Sequence, residues 1–231
     1  MLLKLDNYRK DDIEKKLQKA RFRPLDVMVT GATGAGKSTT LNTIFRKNVA
    51  TVGNGVDPET MELDSYSLND VFRLWDTPGL GDCVAVDEIH KRKLVNLLYK
   101  TYTLDGNTYS WIDLAIVVIE GANRDMGSTY TLLNEVIVPN IQTDRILVVI
   151  NQADVAMKGK HWNYYTNKPD KVLKDFLEKQ ALSIQRRVKE ATGITIRKPI
   201  YYSAEYNYNV EKLLDFIIDD MPLVRRPLIT K

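Results

Sequence analysis

Residues 31–38 read Gly-Ala-Thr-Gly-Ala-Gly-Lys-Ser, and the six residues before them, Leu25-Asp26-Val27-Met28-Val29-Thr30, form a β-rich apolar run that stops at the first glycine. Beyond the loop, Leu41, Ile44 and Phe45 recur at helical spacing. A G-x-x-x-x-G-K-S loop joining a strand to a helix is a cradle for phosphate groups. The backbone N–H groups of Gly34, Ala35, Gly36, Lys37, Ser38 and Thr39 curl into a nest at the positive end of the helix, where they meet dense anionic charge. Gly31 opens the loop and Thr33 lies within it. Lys37 supplies a point charge for the terminal phosphates, and the Ser38 hydroxyl suits Mg²⁺, which binds through oxygens and water.

The rest of the composition sets bounds. A chain of 231 residues is long enough for one large domain with a real core. Thirty-three basic against thirty acidic residues leave a net charge of +3, which gives no argument for nucleic acid and little for an anionic membrane. One cysteine, Cys83, excludes an internal disulfide framework or a zinc cluster and fits a reducing compartment. The most apolar runs, 113–119 and 145–150, fall far short of the roughly 20 residues that span a bilayer, so they are core strands. The start of the chain turns charged at Lys4 and Asp6 and builds no apolar signal segment, so no transmembrane segment and a cytoplasmic location are expected.

Along the chain, 6–22 carries Ile13, Leu17 and Ala20 at helical spacing among many charges and reads as an N-terminal amphipathic helix ended by Pro24. Residues 49–62, rich in Gly, Asp and Pro, read as a loop. Residues 62–68 and 71–75 form a hairpin turned at Asn69-Asp70. Then come a helix over 91–102, a strand over 114–120, a helix over 129–138 ended by Pro139 and a strand over 146–150. An irregular insertion spans 157–169, a long helix spans 170–192 and stops at Gly193, and a strand over 199–203 precedes a helix over 210–221. Strands alternating with helices predict an α/β sheet covered on both faces, with the helix of 1–24 in front, one nucleotide-binding domain over 25–221 and a tail over 222–231.

Ligands of such sheets sit at the carboxyl ends of the strands. After the strand at 71–75 stands Asp76-Thr77-Pro78-Gly79, where Asp76 can hold a Mg²⁺-bound water and Gly79 lets a backbone N–H approach a γ-phosphate. After 146–150 comes Asn151-Gln152-Ala153-Asp154. A carboxylate accepts two hydrogen bonds from the N1–H and the exocyclic amine of guanine, whereas adenine offers no matching pair of donors, so Asp154 implies GTP. After the last strand, Ser203-Ala204-Glu205 places the Ala204 N–H to donate to the guanine oxygen.

In this order the loops resemble the boxes of TRAFAC-class GTPases, of the Era/TrmE/septin-like group that includes bacterial fifty-S-type G domains. The resemblance covers about residues 25–221. It implies a P-loop NTPase with a mostly parallel, doubly wound sheet and one antiparallel edge strand. GTP and GDP are the implied substrate and product, and Mg²⁺ the implied cofactor, held by Ser38, Asp76 and a switch threonine. Thr60 is the choice for that threonine, with Thr51 as the alternative. Lys37, Thr60 and Gly79 are the implied catalytic set. Three departures from the pattern stand out. Gln152 replaces a lysine, which removes a charge near the base. Leu80 follows Gly79 in place of a water-orienting glutamine, and Gly34 stands where potassium-activated members have asparagine. Glu205 replaces a common lysine but acts through its backbone.

The expected activity is therefore slow GTP hydrolysis in a nucleotide-controlled switch, accelerated by an activator, an effector or a nucleotide-dependent homodimer. Glu59, Glu62 and Asp82 are candidates to orient water, and Arg73 and Arg124 are candidates for an arginine finger. A self-assembling module with incidental hydrolysis, and an ATPase or kinase sharing only the first box, are the alternative readings. The run His90-Lys91-Arg92-Lys93 reads as a solvated helix face with Leu94, Leu97 and Leu98 turned inward. Arg21-Phe22-Arg23 and Arg225-Arg226-Pro227 get the same reading, and nucleic acid is not indicated.

Overall fold

Strand β1 (Leu25–Gly31) is buried along its whole length, as a strand with neighbours on both edges and helices on both faces must be. In the computed structural model, which describes residues 8–20, 24–45, 65–81, 84–122 and 126–228, β1 pairs in parallel with β3 (Phe72–Asp76) and with β6 (Leu114–Glu120). Next to β6 lie β7 (Ile146–Asn151) and then the two-residue β10 (Ile200–Tyr201), all parallel. β2 (Ser65–Asn69) closes the other edge antiparallel to β3, so the sheet order is β10-β7-β6-β1-β3-β2. This is the mostly parallel sheet with one antiparallel edge strand that the sequence predicts.

Alternation along the strands divides the core into two layers. Val27, Val29, Leu114, Ile116, Val118, Leu147 and Val149 face one way. They pack against α1 (Lys10–Ala20), α2 (Lys37–Ile44) and α6 (Val210–Asp219) through Ile13, Leu17, Leu41, Ile44, Leu213 and Ile217. Met28, Trp75, Ala115, Val117, Ile119, Val148 and Ile150 face the other way. There they meet Leu94, Leu97 and Leu98 of α3 (Val84–Tyr99), Leu132 to Ile137 beyond α4 (Gly127–Thr131), and Ala181, Ile184 and Val188 of α5 (Lys171–Thr192). Residues 132–137 continue α4 as a π-helical turn. The helix at 171–192 is capped as its sequence suggests: Asp170 accepts from the Leu173 N–H, and Gly193 takes the left-handed conformation at the other end.

Helix α1 is bound to α6 by more than its apolar stripe. Arg9 pairs with Asp215 and Asp219 at 3.0 and 2.8 Å, and the Tyr8 hydroxyl donates to Asp215. Burial and that carboxylate push the Tyr8 phenol up to about 12.

Several expectations are corrected. Helix α3 starts seven residues before the expected Lys91 and ends at Tyr99, because Thr101 onward belongs to a hairpin. Strands β4 (Thr101–Leu104) and β5 (Asn107–Ser110) turn at Asp105-Gly106, whose φ values of 52° and 76° are what a two-residue hairpin turn demands. The stretch 157–169 contains one short antiparallel pair, β8 (Trp162–Asn163) with β9 (Lys168–Pro169). It covers the core beside α5, where Trp162 packs with Ala153, Leu173 and Leu177.

Arg226 is not on a solvated face: it is 1% exposed and donates to the Leu98 carbonyl, while its own carbonyl accepts from the Ser110 N–H. Burial and the neighbouring Arg145 lower its pKa to about 10. Arg225 lies over the Tyr109 ring at 5.0 Å, so this segment straps the β4–β5 hairpin to the domain.

Arg73 is also accounted for. It forks onto the fully buried Asp26 at 2.8 and 2.7 Å, and Asp26 accepts a further bond from the Trp75 indole at 2.7 Å. Asp26 lies at the start of β1 and the phosphate loop at its end, so Arg73 is a structural partner at the far edge and not an arginine finger. Arg73→Met is expected to destabilise the fold by about 3 kcal/mol, because it strips a buried carboxylate of its cation. Denaturant titration checks this: an unchanged midpoint contradicts it.

Candidate nucleotide site

Where β1 ends, the chain turns through residues 32–36 into α2, whose first turn carries Lys37, Ser38 and Thr39. Gly31 faces the Val118 carbonyl so closely that an added Cβ would lie 2.3 Å from it. Gly36, at φ 81°, precedes the helix in the left-handed region, and a Cβ there would lie 2.3 Å from the Asn151 amide nitrogen. Gly34 has φ 84° and faces open space. These glycines shape a cleft of about 620 Å³ at the carboxyl ends of the strands, lined by Thr33, Gly34, Gly36, Lys37, Ser38 and Thr39 from the loop, and by Asp76 to Gly79, His90, Lys93 and Gln152.

Lys37 is 8% exposed, and its ammonium donates to the Gly31 and Ala32 carbonyls at 3.2 and 3.0 Å, which aims it along the inside of the loop. The Ser38 hydroxyl donates to Asp76 at 3.1 Å, so the structure brings together two of the three expected Mg²⁺ ligands. Among the described residues no group of three or more His, Cys, Asp or Glu side chains forms a metal centre. A hydroxyl and one carboxylate beside a phosphate cradle instead fit a hard ion that keeps much of its water and takes phosphate oxygens. The third expected ligand, Thr60, lies outside the described residues, as do Thr51, Glu59, Glu62, Asp82, Cys83, Arg124 and the run 21–23.

The segment after β3 is joined to the phosphate loop by backbone. The Thr33 N–H donates to the Leu80 carbonyl at 2.8 Å, and Thr77 Oγ1 donates to the Val29 carbonyl. A Cβ on Gly79 would come within 2.8 Å of the Lys37 ammonium and 2.7 Å of Thr33, so only glycine fits there without displacement. Leu80, 2% exposed, points into the core beside Met28, Trp75 and Met126 and takes no part in the cleft.

At the end of β7, Asn151 ties three loops together. Its amide donates to the Ala35 carbonyl at 3.0 Å, and its carbonyl oxygen accepts from the Ala204 N–H at 3.1 Å. That N–H is therefore engaged, contrary to the expectation that it faces the base; a buried donor takes the nearest acceptor. Ala204 is fixed also by Thr43, whose hydroxyl donates to its carbonyl. Ser203 is buried with its hydroxyl accepting from the Tyr206 N–H, and Glu205 is exposed. Gln152, at φ 60°, reaches back to donate to the Gly34 carbonyl at 2.8 Å. The contact to the phosphate loop thus survives the loss of the usual lysine charge. Asp154 is 6% exposed, and its Oδ1 has no hydrogen-bond partner among the described residues. A buried carboxylate oxygen left without a donor is costly, and it fits a ligand that brings donors.

Reading the sequence missed His90 and Lys93. Both line the cleft, one helical turn apart on α3, and His90 Nδ1 lies 2.7 Å from the Gly79 carbonyl. Within the same run, Lys91 pairs with Glu88 and Glu135, as a solvated face would.

The chain is similar to known GTP-binding proteins over much of its length. A probable GTP-binding protein EngB of Streptococcus uberis is 26% identical over 139 residues, covering 60% of this chain and 65% of that protein. Its counterpart from Geobacillus kaustophilus is 26% identical over 137 residues, covering 59% and 66%. The chain thus matches just under two thirds of the length of these relatives. Among solved structures, Toc33 from Arabidopsis thaliana in complex with GDP and Mg²⁺ superposes with a TM-score of 0.62 at 16% identity, over 98% of this chain and 96% of that one. A GTP-binding protein from Sulfolobus solfataricus in complex with GDP gives 0.54 at 19% identity, over 93% and 58%. The family model described as 50S ribosome-binding GTPase matches residues 26–188, and the chain belongs to that family.

Proposed function

We propose that the chain binds GTP and hydrolyses it slowly with Mg²⁺, as a nucleotide-controlled switch. The observation that carries the guanine assignment is Asp154, a buried carboxylate with an unpartnered oxygen, held three residues beyond the asparagine that staples β7 to the phosphate loop. In this reading Gly31, Thr33, Gly34, Ala35, Gly36 and Thr39 enclose the phosphates with their backbone, and Lys37 neutralises the terminal ones. Asn151, Gln152, Ser203, Ala204 and Glu205 form and brace the base pocket. Ser38 and Asp76, with Thr60, hold the metal; bound there, Mg²⁺ offsets the charge on the β- and γ-phosphate oxygens. The Gly79 N–H faces the γ-phosphate from beside Lys37. No intrinsic device for fast turnover follows from Leu80, whose side chain is in the core, and this supports a slow rate raised by a partner.

Release of phosphate from GTP and from ATP, each with Mg²⁺ and with chelator, tests the reading. It expects slow turnover of GTP alone, abolished by chelator. ATP hydrolysed as readily as GTP contradicts it. Self-association is part of the proposal, on the strength of the resemblance: sedimentation is expected to show a larger species with a non-hydrolysable GTP analogue than with GDP, and equal masses contradict that part.

A further inference from the structure

We propose that His90 is the residue that orients the attacking water for GTP hydrolysis, accepting a hydrogen bond from it through Nε2; this rests on the hydrolase reading above. His90 Nδ1 lies 2.7 Å from the Gly79 carbonyl. A carbonyl only accepts, so Nδ1 is the donor of this contact, and of the two ring nitrogens Nε2 is the one left to accept a hydrogen bond. The ring lines the cleft together with Lys37, Ser38, Asp76 and Gly79. It is anchored to Gly79, where an added Cβ would lie 2.8 Å from the Lys37 ammonium and 2.7 Å from Thr33, which places it against the end of the cleft where a γ-phosphate belongs.

Among the described residues, several other side chains of the cleft are already committed or lack an acceptor. Lys37 and Lys93 only donate. Ser38 and Asp76 bond each other as the metal pair, and Asp76 also accepts from the Thr77 N–H. The Gln152 amide nitrogen is held on the Gly34 carbonyl, away from Gly79, the Thr77 hydroxyl donates to Val29, and Leu80 is in the core. His90 therefore supplies what Leu80 cannot. In the step itself, the water oxygen bonds to the γ-phosphorus while the bond to the β,γ-bridging oxygen breaks. The electron pair leaves with GDP, and the water proton ends on the released phosphate. His90 holds the water in line and is unchanged at the end.

The test is single-turnover hydrolysis of GTP at saturating protein, with affinities for GTP and GDP measured alongside. His90→Ala and His90→Phe are expected to slow the step about 100-fold, while His90→Gln, whose amide can still donate and accept, recovers a tenfold or greater part of the loss. Added imidazole is expected to speed His90→Ala but not His90→Phe, and nucleotide affinities stay within about threefold of wild type. Arg92→Ala, an exposed neighbour on α3, is the control and keeps the wild-type rate. If wild type turns over GTP and the Ala and Phe variants match it within about threefold, the proposal is overturned and the hydrolase reading stands. Equal losses in the Ala, Phe and Gln variants without rescue by imidazole also overturn it, because they mark a structural role. Tight GTP binding without turnover by wild type overturns the hydrolase reading itself.

Discussion

Lys37→Ala is expected to weaken GTP binding by about 100-fold or more, since one ammonium serves two phosphates and each charge-assisted contact is worth about 1.5–3 kcal/mol. The fold should tolerate the change. In the protein without nucleotide the ammonium is held by the Gly31 and Ala32 carbonyls at 3.2 and 3.0 Å, at the wall of a cleft to which water has access. Truncation therefore exposes those carbonyls to solvent instead of stranding them. Calorimetry with GTP and GDP, beside a thermal melt, separates binding from stability. The expected pair is a large loss of affinity with a melting temperature near wild type. An affinity within about threefold of wild type would mean that the loop does not hold the terminal phosphates in this way.

Asp154→Asn is expected to do something more specific: exchange one base for another. Guanine presents two donors to the carboxylate, and an amide matches only one while turning its own N–H toward the other. The loss for GTP should be about 100-fold, the cost of an unmatched donor pair in a buried site. Xanthine carries a carbonyl where guanine carries its amine, so the amide complements it, and XTP should gain what GTP loses. Because Oδ1 of Asp154 has no partner among the described residues, the substitution breaks no bond seen at that atom. Competition of GTP, XTP and ATP against a fluorescent nucleotide reads the outcome. A variant that still prefers GTP to XTP would remove Asp154 from the base pocket.

Much of this arrangement is legible in the sequence because local rules and tertiary needs coincide. The run at 25–30 can only be a central strand, the glycines of the loop after it must turn where they stand, and Asp76, Asn151 and Asp154 follow strand ends where a parallel sheet opens its ligand cleft. Strand alternation sorts Val27 from Met28 and Ile116 from Val117 into opposite layers without exception. What escaped has physical reasons. The β4–β5 hairpin carries its signal in Asp105-Gly106, but helix-compatible spacing through Tyr102 hides where α3 stops. Arg226 has the composition of a surface residue, and only the tertiary fold, which brings the Leu98 carbonyl to its guanidinium, buries it.

The site shows the same division. Gln152 looks like a loss when only its charge is counted, whereas its reach to Gly34 depends on the positive φ at that residue. The Ala204 N–H looks available until Asn151 is placed beside it. His90 is the instructive case. In a run of four basic residues its helix face is ambiguous, and only the packing of α3 against the Gly79 loop decides that His90 and Lys93 turn to the cleft while Lys91 turns to Glu88 and Glu135.

The most direct measurement is a calorimetric titration of the wild-type protein with GTP and with ATP in the presence of Mg²⁺. Complementarity between Asp154 and guanine requires GTP to bind at least about 100-fold more tightly than ATP. Equal affinities would contradict it, because the phosphate loop alone would then account for binding and the loops after β7 and β10 would have no part in choosing the base.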